Sequence, residues 1–415
     1  MNVWQQRFDL WSKYSALALG FSIPLSTALM SIFSILTAVL VMAGGNYHFK
    51  WSLVKRNPLV LASITLFALL VIGSFYSVGT WHESLRELKK YHQLLLVAFM
   101  LPVFVEEKWR KWGMVVFIFA MTVNLIAAPI RHFLLHVPGD AGFHDHIIIS
   151  ILMAFSAFVV LHMGLESRGA RRWLLIGLFL LMSIYELFYN TGRTGYFVYA
   201  ALVLLTFFQV LHWKGLLLAV LLVVMGMVGL YHFSPVFHQK IAQAVTNTEQ
   251  YHHYTNKAQA SEKNVSKIYT SAGLRLRWIH YGKVVWLANP VLGVGTGGFQ
   301  AATEALFPND NKKLYTDNSN TDILTIAAQL GTLGLMMLLL IYYFNVRISL
   351  QLSVPYRQFA QLLVVTMFIA GLFNSVFRDT VESNFYMYMV ALFFSQYGAR
   401  QSSAPSSEER GAGSC

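Results

Sequence analysis

Residues 196–232 read YFVYAALVLLTFFQVLH, then Trp213-Lys214, then GLLLAVLLVVMGMVGLYH. Each apolar run approaches the roughly 20 residues that cross the hydrocarbon core of a bilayer. Lys214 is the only formally charged residue in the whole stretch. Two membrane-spanning helices joined by a tight turn are the natural reading. Working outward, comparable apolar runs lie at 14–28, 29–44, 58–77, 91–105, 113–135, 146–163 and 173–189 on one side, and at 322–346, 359–376 and 384–398 on the other. Of the 415 residues 56% are hydrophobic and 12% charged, against about 45–50% and roughly 25% in soluble domains. That composition excludes a soluble enzyme. The expected fold class is all-α, a polytopic integral membrane protein with about 12 transmembrane helices.

Charge fixes the expected topology. Lysine and arginine total 31 against 19 acids, a formal charge of +12. In a membrane protein such an excess reads as positive-inside loops, so no nucleic-acid partner is expected. Runs 14–28 and 29–44 are short for two crossings, with Pro24 and Ser26 as the natural break. If both cross, Lys50, Lys55 and Arg56, then Lys108, Arg110 and Lys111, then Arg168, Arg171 and Arg172, then Lys214, and finally Arg347 and Arg357 all fall on the inner side. A single crossing there would put every one of these clusters outside, against the positive-inside rule. The resulting plan has nine helices over 1–232, one large outer loop over 233–321, three helices over 322–400 and a Ser/Pro/Gly-rich inner tail over 401–415. Within the loop, residues 272–289 predict a helix ended by Pro290 and the glycines of 293–298. The first apolar run passes into the second without a small-residue cleavage pattern, so no cleavable leader is expected. The single cysteine, Cys415, excludes a disulfide within the chain and does not make a prenylation signal.

Against this topology several cations lie on the wrong side: Arg86, Lys89, Lys90, Arg131, Arg193 and Arg378. Snorkelling to lipid headgroups accounts for such residues singly. Arg193 differs, because it sits in Tyr189-Asn190-Thr191-Gly192-Arg193-Thr194-Gly195. Two glycines there interrupt the helix and leave backbone N–H groups beside a guanidinium, a combination that grips phosphate oxygens. Arg275 and Arg277 are two residues apart, hence on different faces of a helix; at most one is expected to point into a site. An outer pocket with several cations, Arg86, Lys90, Arg193 and Arg275 among them, suits an anionic, lipid-linked substrate.

These residues carry a resemblance. The stretches YNTGRTGYF (189–197), SAGLRLR (271–277), NPVLGVGTGGF (289–299), DNSNTDILTIAAQLGTLGL (317–335) and LFNSVFRDTVE (372–382), in this order and topology, resemble the O-antigen ligase family. That superfamily is shared with O-antigen polymerases and bacterial O-oligosaccharyltransferases. The resemblance implies inverting transfer of an undecaprenyl-diphosphate-linked glycan at the periplasmic face of the bacterial inner membrane. For a ligase the acceptor is a sugar hydroxyl of lipid A–core; for a polymerase it is a second donor glycan. Besides donor and acceptor, the expected partners are membrane lipids, and neither cofactor nor metal is implied. By position in the motifs, Arg193 binds the diphosphate and Arg275 is the second family arginine. Thr191, Gly192 and Thr194 support the first of these, and Glu382 is a further candidate.

One departure stands out. Where the family motif carries histidine followed by asparagine, this chain has Asn320 and Thr321. Asparagine is no general base, although its amide orients a hydroxyl or a phosphate. Three readings remain open: Asp317 or Asp322 takes the proton; diphosphate departure makes a strong base unnecessary; or the activity is altered or lost. Other signals are weaker. Residues 293–298 spell GxGxxG, but no strand precedes them as a dinucleotide site requires. His144 and His146 cannot share a helix face, no third metal ligand accompanies them, and His252-His253 lies in a polar loop. A transporter of the same lipid-linked glycans is the rival class. It would carry charge at mid-membrane depth and internal repeats, and neither is evident here.

Overall fold

The computed structural model describes residues 2–136, 142–256 and 270–402. Among these every regular element is helical. The elements are α1 (Val3–Ser22), α2 (Thr27–Ala43), α3 (Tyr47–Lys55), α4 (Pro58–Phe75), α5 (Trp81–Tyr91), α6 (Gln93–Met100), α7 (Glu107–Pro129), α8 (His146–Glu166), α9 (Gly169–Ile184) and α10 (Arg193–Phe233). They continue with α11 (Pro235–Asn256), α12 (Ser271–Ala288), α13 (Phe299–Leu306), α14 (Asp322–Ser349), α15 (Tyr356–Gly371) and α16 (Thr380–Ser402). The expected inner tail falls almost wholly outside the described residues, as do the side chains of His252 and His253.

Among the described residues, six helices are long and apolar enough to cross a membrane, or seven if the bent pair α2–α3 forms one span. The opening stretch is one of these six. It lies within the 41-residue α10, broken at His212, where φ is 54° and ψ −144°, so the two apolar runs meet next to the expected Trp213-Lys214 turn. The chain also breaks between Ser22 and Thr27, at Pro24 and Ser26. The run 91–105 corrects the sequence reading. It does not form one span-length helix, because α6 ends after 8 residues at a 3₁₀ turn, Leu101–Phe104, that contains Pro102. At 1.5 Å per residue such a helix reaches only about 12 Å.

Two helices form the axis of the bundle. Every residue from Phe385 to Phe394 on α16 is at most 2% exposed, and residues 149–160 of α8 are buried all round. A helix apolar on every side belongs inside. By contrast α2, α9 and the second half of α10 leave Ile32, Leu174, Leu217 and Met225 more than half exposed, as a lipid-facing surface would. Of the expected inner cations, Arg110 is fixed beside the starts of α7 and α15, near the chain's N-terminal helix. Lys13 reaches Glu106 at 2.6 Å, and the buried Arg110 lies 5.2 Å from the Tyr356 ring.

The glycine motif at 293–298 is a structural insert. Gly331 takes φ +65°, a conformation natural to glycine, and so breaks α14. The broken helix frees two carbonyls: Val294 N–H donates to Ala328 O and Gly295 N–H to Gln329 O, both at 2.9 Å. Thr296 Oγ1 donates to Leu70 O at 2.6 Å, tying the insert to α4. No phosphate cradle is needed to explain these glycines.

Candidate functional site

Five helix N-termini converge at one end of the bundle. They belong to α8, α10, α12, α14 and α16. Each helix start carries roughly half a positive charge from its unsatisfied N–H groups, so their convergence makes a region favourable to anions.

Arg193 is the first residue of α10. The turn before it is held from both sides: Gly192 N–H donates to Asn190 Oδ1 at 2.9 Å and Tyr196 OH to Asn190 O at 2.8 Å. Gly195 packs so closely on α8 that a Cβ there would strike Ser150 and the Glu186 carboxylate. Thr194 accepts from Asn374 Nδ2 at 3.1 Å, which joins this turn to the segment before α16. Arg275 sits near the start of α12, whose N-cap Thr270 accepts from Gly273 N–H. Burial and the nearby Arg193 lower its pKa, with Asp145 opposing. Neither arginine has an ion-pair partner among the described residues. Two close, partly buried guanidiniums without a counter-ion are an arrangement that an anion relieves. Arg277 points elsewhere, to Asp310, which Tyr281 also engages. The two arginines thus occupy different faces, and Arg277 braces the loop.

Two cavities meet at Arg275 and Asn320. A groove of about 720 Å³ runs between α10, α11 and α12, lined by side chains such as Phe207, Leu222, Met227, Ile241 and Ile279, with Arg193 at its polar end. A cavity of about 360 Å³ opens beyond it, lined on the far side by Asp145, Asn374, Asp379 and Glu382. Asn320 borders both. It holds φ at +60°, a left-handed conformation asparagine tolerates better than most residues. Its N–H donates to Asn318 Oδ1 at 2.7 Å and its side-chain amide to Phe373 O at 3.3 Å.

The other expected site residues are placed differently. Asp317 is locked in a charge network: its Oδ2 lies 2.6 Å from Arg378 Nη2, 2.9 Å from Lys90 Nζ and 3.9 Å from Arg86 Nη2. Burial would raise its pKa, but Arg378, Lys90 and the Asn318 amide together hold the carboxyl well below the usual range. So held, it is a weak base. Lys90 and Arg86 turn toward Asp317 and line neither cavity. Asp322 is buried in the first turn of α14, accepts from Phe377 N–H at 3.2 Å and also lines neither cavity.

Glu87, Asp145 and Asp379 were not legible as site residues. Glu87 on α5 takes a bidentate grip from Arg378, at 2.7 and 2.9 Å, and accepts from Gln329 Nε2 at 2.9 Å. Arg378 is therefore a buried brace and leaves Asp379 to face the cavity. Burial pushes the Asp379 carboxyl up, with Asp317 and Glu87 adding and Arg378 and Lys90 opposing. A carboxyl raised in this way is a stronger base than Asp317, which its cations hold down. The sequence signal for Glu87 was its spacing: Ser84, Glu87 and Tyr91 form one buried stripe on an otherwise cationic helix.

The bundle and its site define a multi-pass membrane protein built around an apolar groove that ends at a cationic polar cavity. Residues 177–339 match the family model described as O-Antigen ligase. The match supports a ligase- or polymerase-type membrane protein and suggests a glycan-transferase-type activity. It takes in Arg193, Arg275, Asp317, Asn320 and Asp322, whereas Glu87, Asp145, Asp379 and Glu382 lie outside it. No curated protein matches the chain.

Proposed function

We propose that the protein is an O-antigen ligase. It transfers a glycan from undecaprenyl diphosphate to a sugar hydroxyl of lipid A–core at the periplasmic face of the bacterial inner membrane. Twelve crossings, the broken segment 91–105 among them, both termini cytoplasmic and 233–321 as the periplasmic loop complete the reading. The positive-inside distribution of the loop cations, Arg110 and Arg357 among them, supports that orientation.

The observation that carries the proposal is the junction of the apolar groove with the polar cavity at Arg275 and Asn320. The polyprenyl chain lies in the groove, and its diphosphate rests on Arg193 and Arg275 at two helix N-termini. The anomeric carbon then stands at the entrance of the polar cavity. The acceptor hydroxyl attacks that carbon from the face opposite the diphosphate, forming the new C–O bond with inversion. The bond from the anomeric carbon to the phosphate oxygen breaks, and undecaprenyl diphosphate leaves with the electron pair, stabilised by both guanidiniums. The hydroxyl proton passes to Asp379, which takes the part the family histidine would play. Asn320 orients the hydroxyl, and Glu382 stands beside the same cavity.

Purified protein supplied with the lipid-linked glycan and two competing acceptors, lipid A–core and a second donor glycan, tests the reading. Product on lipid A–core is expected, and Arg193→Ala should abolish it with the protein still folded. Lengthened donor chains alone would make the protein a polymerase, and full activity of Arg193→Ala would overturn the diphosphate site.

A further inference from the structure

The cavity divides by charge along its helix ends. The starts of α10 and α12 carry Arg193 and Arg275. The starts of α8 and α16 carry only acids toward the cavity: Asp145, then Asp379 and Glu382. Arg275 is the one cation among the described residues that border this cavity, and burial with the neighbouring acids raises the Asp379 and Glu382 carboxyls, so further negative charge is unfavourable there. Glu382 is 2% exposed, and its Oε2 has no hydrogen-bond partner among the described residues. A buried carboxyl oxygen with no partner, on a residue that lines a cavity, lacks a donor. A sugar hydroxyl or ammonium supplies one; a phosphate or carboxylate does not.

We infer that the acidic half of this cavity selects the charge of the acceptor, taking a neutral or amino-bearing sugar ring and rejecting one that carries phosphate or carboxylate. The inference rests on the glycan-transfer reading and names the acceptor class of the same site. Specificity of this kind comes from the unfavourable partner: an anionic ring placed against acidic side chains loses affinity, while hydroxyls gain hydrogen bonds to them. The cavity, at about 360 Å³, falls in the size range of small-ligand sites.

The test uses the full chain in lipid nanodiscs and saturation-transfer NMR with three probes: a methyl hexoside, its 2-amino-2-deoxy counterpart and its 6-phosphate. The first two should bind and the 6-phosphate should bind roughly tenfold or more weakly. Asp145→Asn and Glu382→Gln should each narrow that ratio. Asp145→Asn keeps a good helix cap where Asp145 Oδ1 now accepts from Ile147 N–H at 2.8 Å, so it remains informative if the buried Glu382 variant fails to fold. Binding of the 6-phosphate equal to the neutral ring, a ratio unmoved in both variants, or no binding of any probe would overturn the inference. Undecaprenyl diphosphate binding, measured alongside, separates the two levels: its absence in the unaltered protein overturns the glycan-transfer reading, while its presence with equal probe binding overturns this inference alone.

Discussion

Two acidic groups lie side by side at the site end of the molecule and are treated in opposite ways. In the first, Glu87 and Asp317 are saturated by Arg378 and Lys90, with distances of 2.6 to 2.9 Å. In the second, Asp145, Asp379 and Glu382 border a cavity with one guanidinium between them. Compensated charge fixes geometry. Under-compensated acids at a cavity wall are what the proposed site would offer a substrate. The saturated network ties α5, the 317–322 segment and the turn before α16 into one support, and on that support the open group is held in place.

The sharpest way to break this contrast is to remove the brace. Arg378→Ala strands Glu87 and should cost about 3–5 kcal/mol of stability, read as a large fall in thermal unfolding temperature in detergent. An unchanged temperature would mean the network supports nothing. Next comes the open group. Asp379→Asn should slow transfer by about 10²–10⁴-fold, the usual weight of a general base, with unfolding temperature held or raised. A carboxyl whose folded pKa is raised favours the folded state only below its unfolded value, so at neutral pH its removal relieves the fold. Transfer by the unaltered protein should therefore rise with pH as Asp379 deprotonates, and the variant should lose that rise.

Asp317→Asn should do the reverse. Its folded pKa is depressed, so its stabilisation is full above the ordinary carboxylate pKa and is lost as pH falls below it. The variant should melt earlier at neutral pH, and the difference should shrink in acid. Asn320→Ala should cost roughly tenfold in rate, about the value of one lost hydrogen bond, plus a modest destabilisation from its left-handed backbone. The smallest expected effect is that of Arg277→Ala: its contacts with Asp310 brace the loop, so transfer should fall only a few-fold. A loss as severe as that of Arg275→Ala would mean the helix face is misassigned.

The sequence made some of this legible. Break points followed from Pro24, Ser26 and the Trp213-Lys214 turn, because local chemistry interrupts a helix wherever it occurs. Arg193 was readable from its flanking glycines and Arg275 from its motif. Asp317 and Asp322 drew attention as the carboxylates nearest Asn320 in the chain. Which of these acids is quenched depends on Arg378 and Lys90, 61 and 227 residues away from Asp317, and no local pattern encodes that pairing. The run 91–105 was as apolar as a span, but Pro102 ends its helix early. Asp379 was hidden for a related reason: only the fold shows that Arg378, its neighbour in sequence, is held by Glu87.

The most direct test of the account compares Asp379→Asn with Asp317→Asn in one assay, glycan transfer from undecaprenyl diphosphate to lipid A–core, with unfolding temperatures taken on the same preparations. The account expects Asp379→Asn to lose transfer while staying folded, and Asp317→Asn to lose stability while the surviving folded fraction still transfers. Undiminished transfer by Asp379→Asn, or loss of transfer by a fully stable Asp317→Asn, would contradict it.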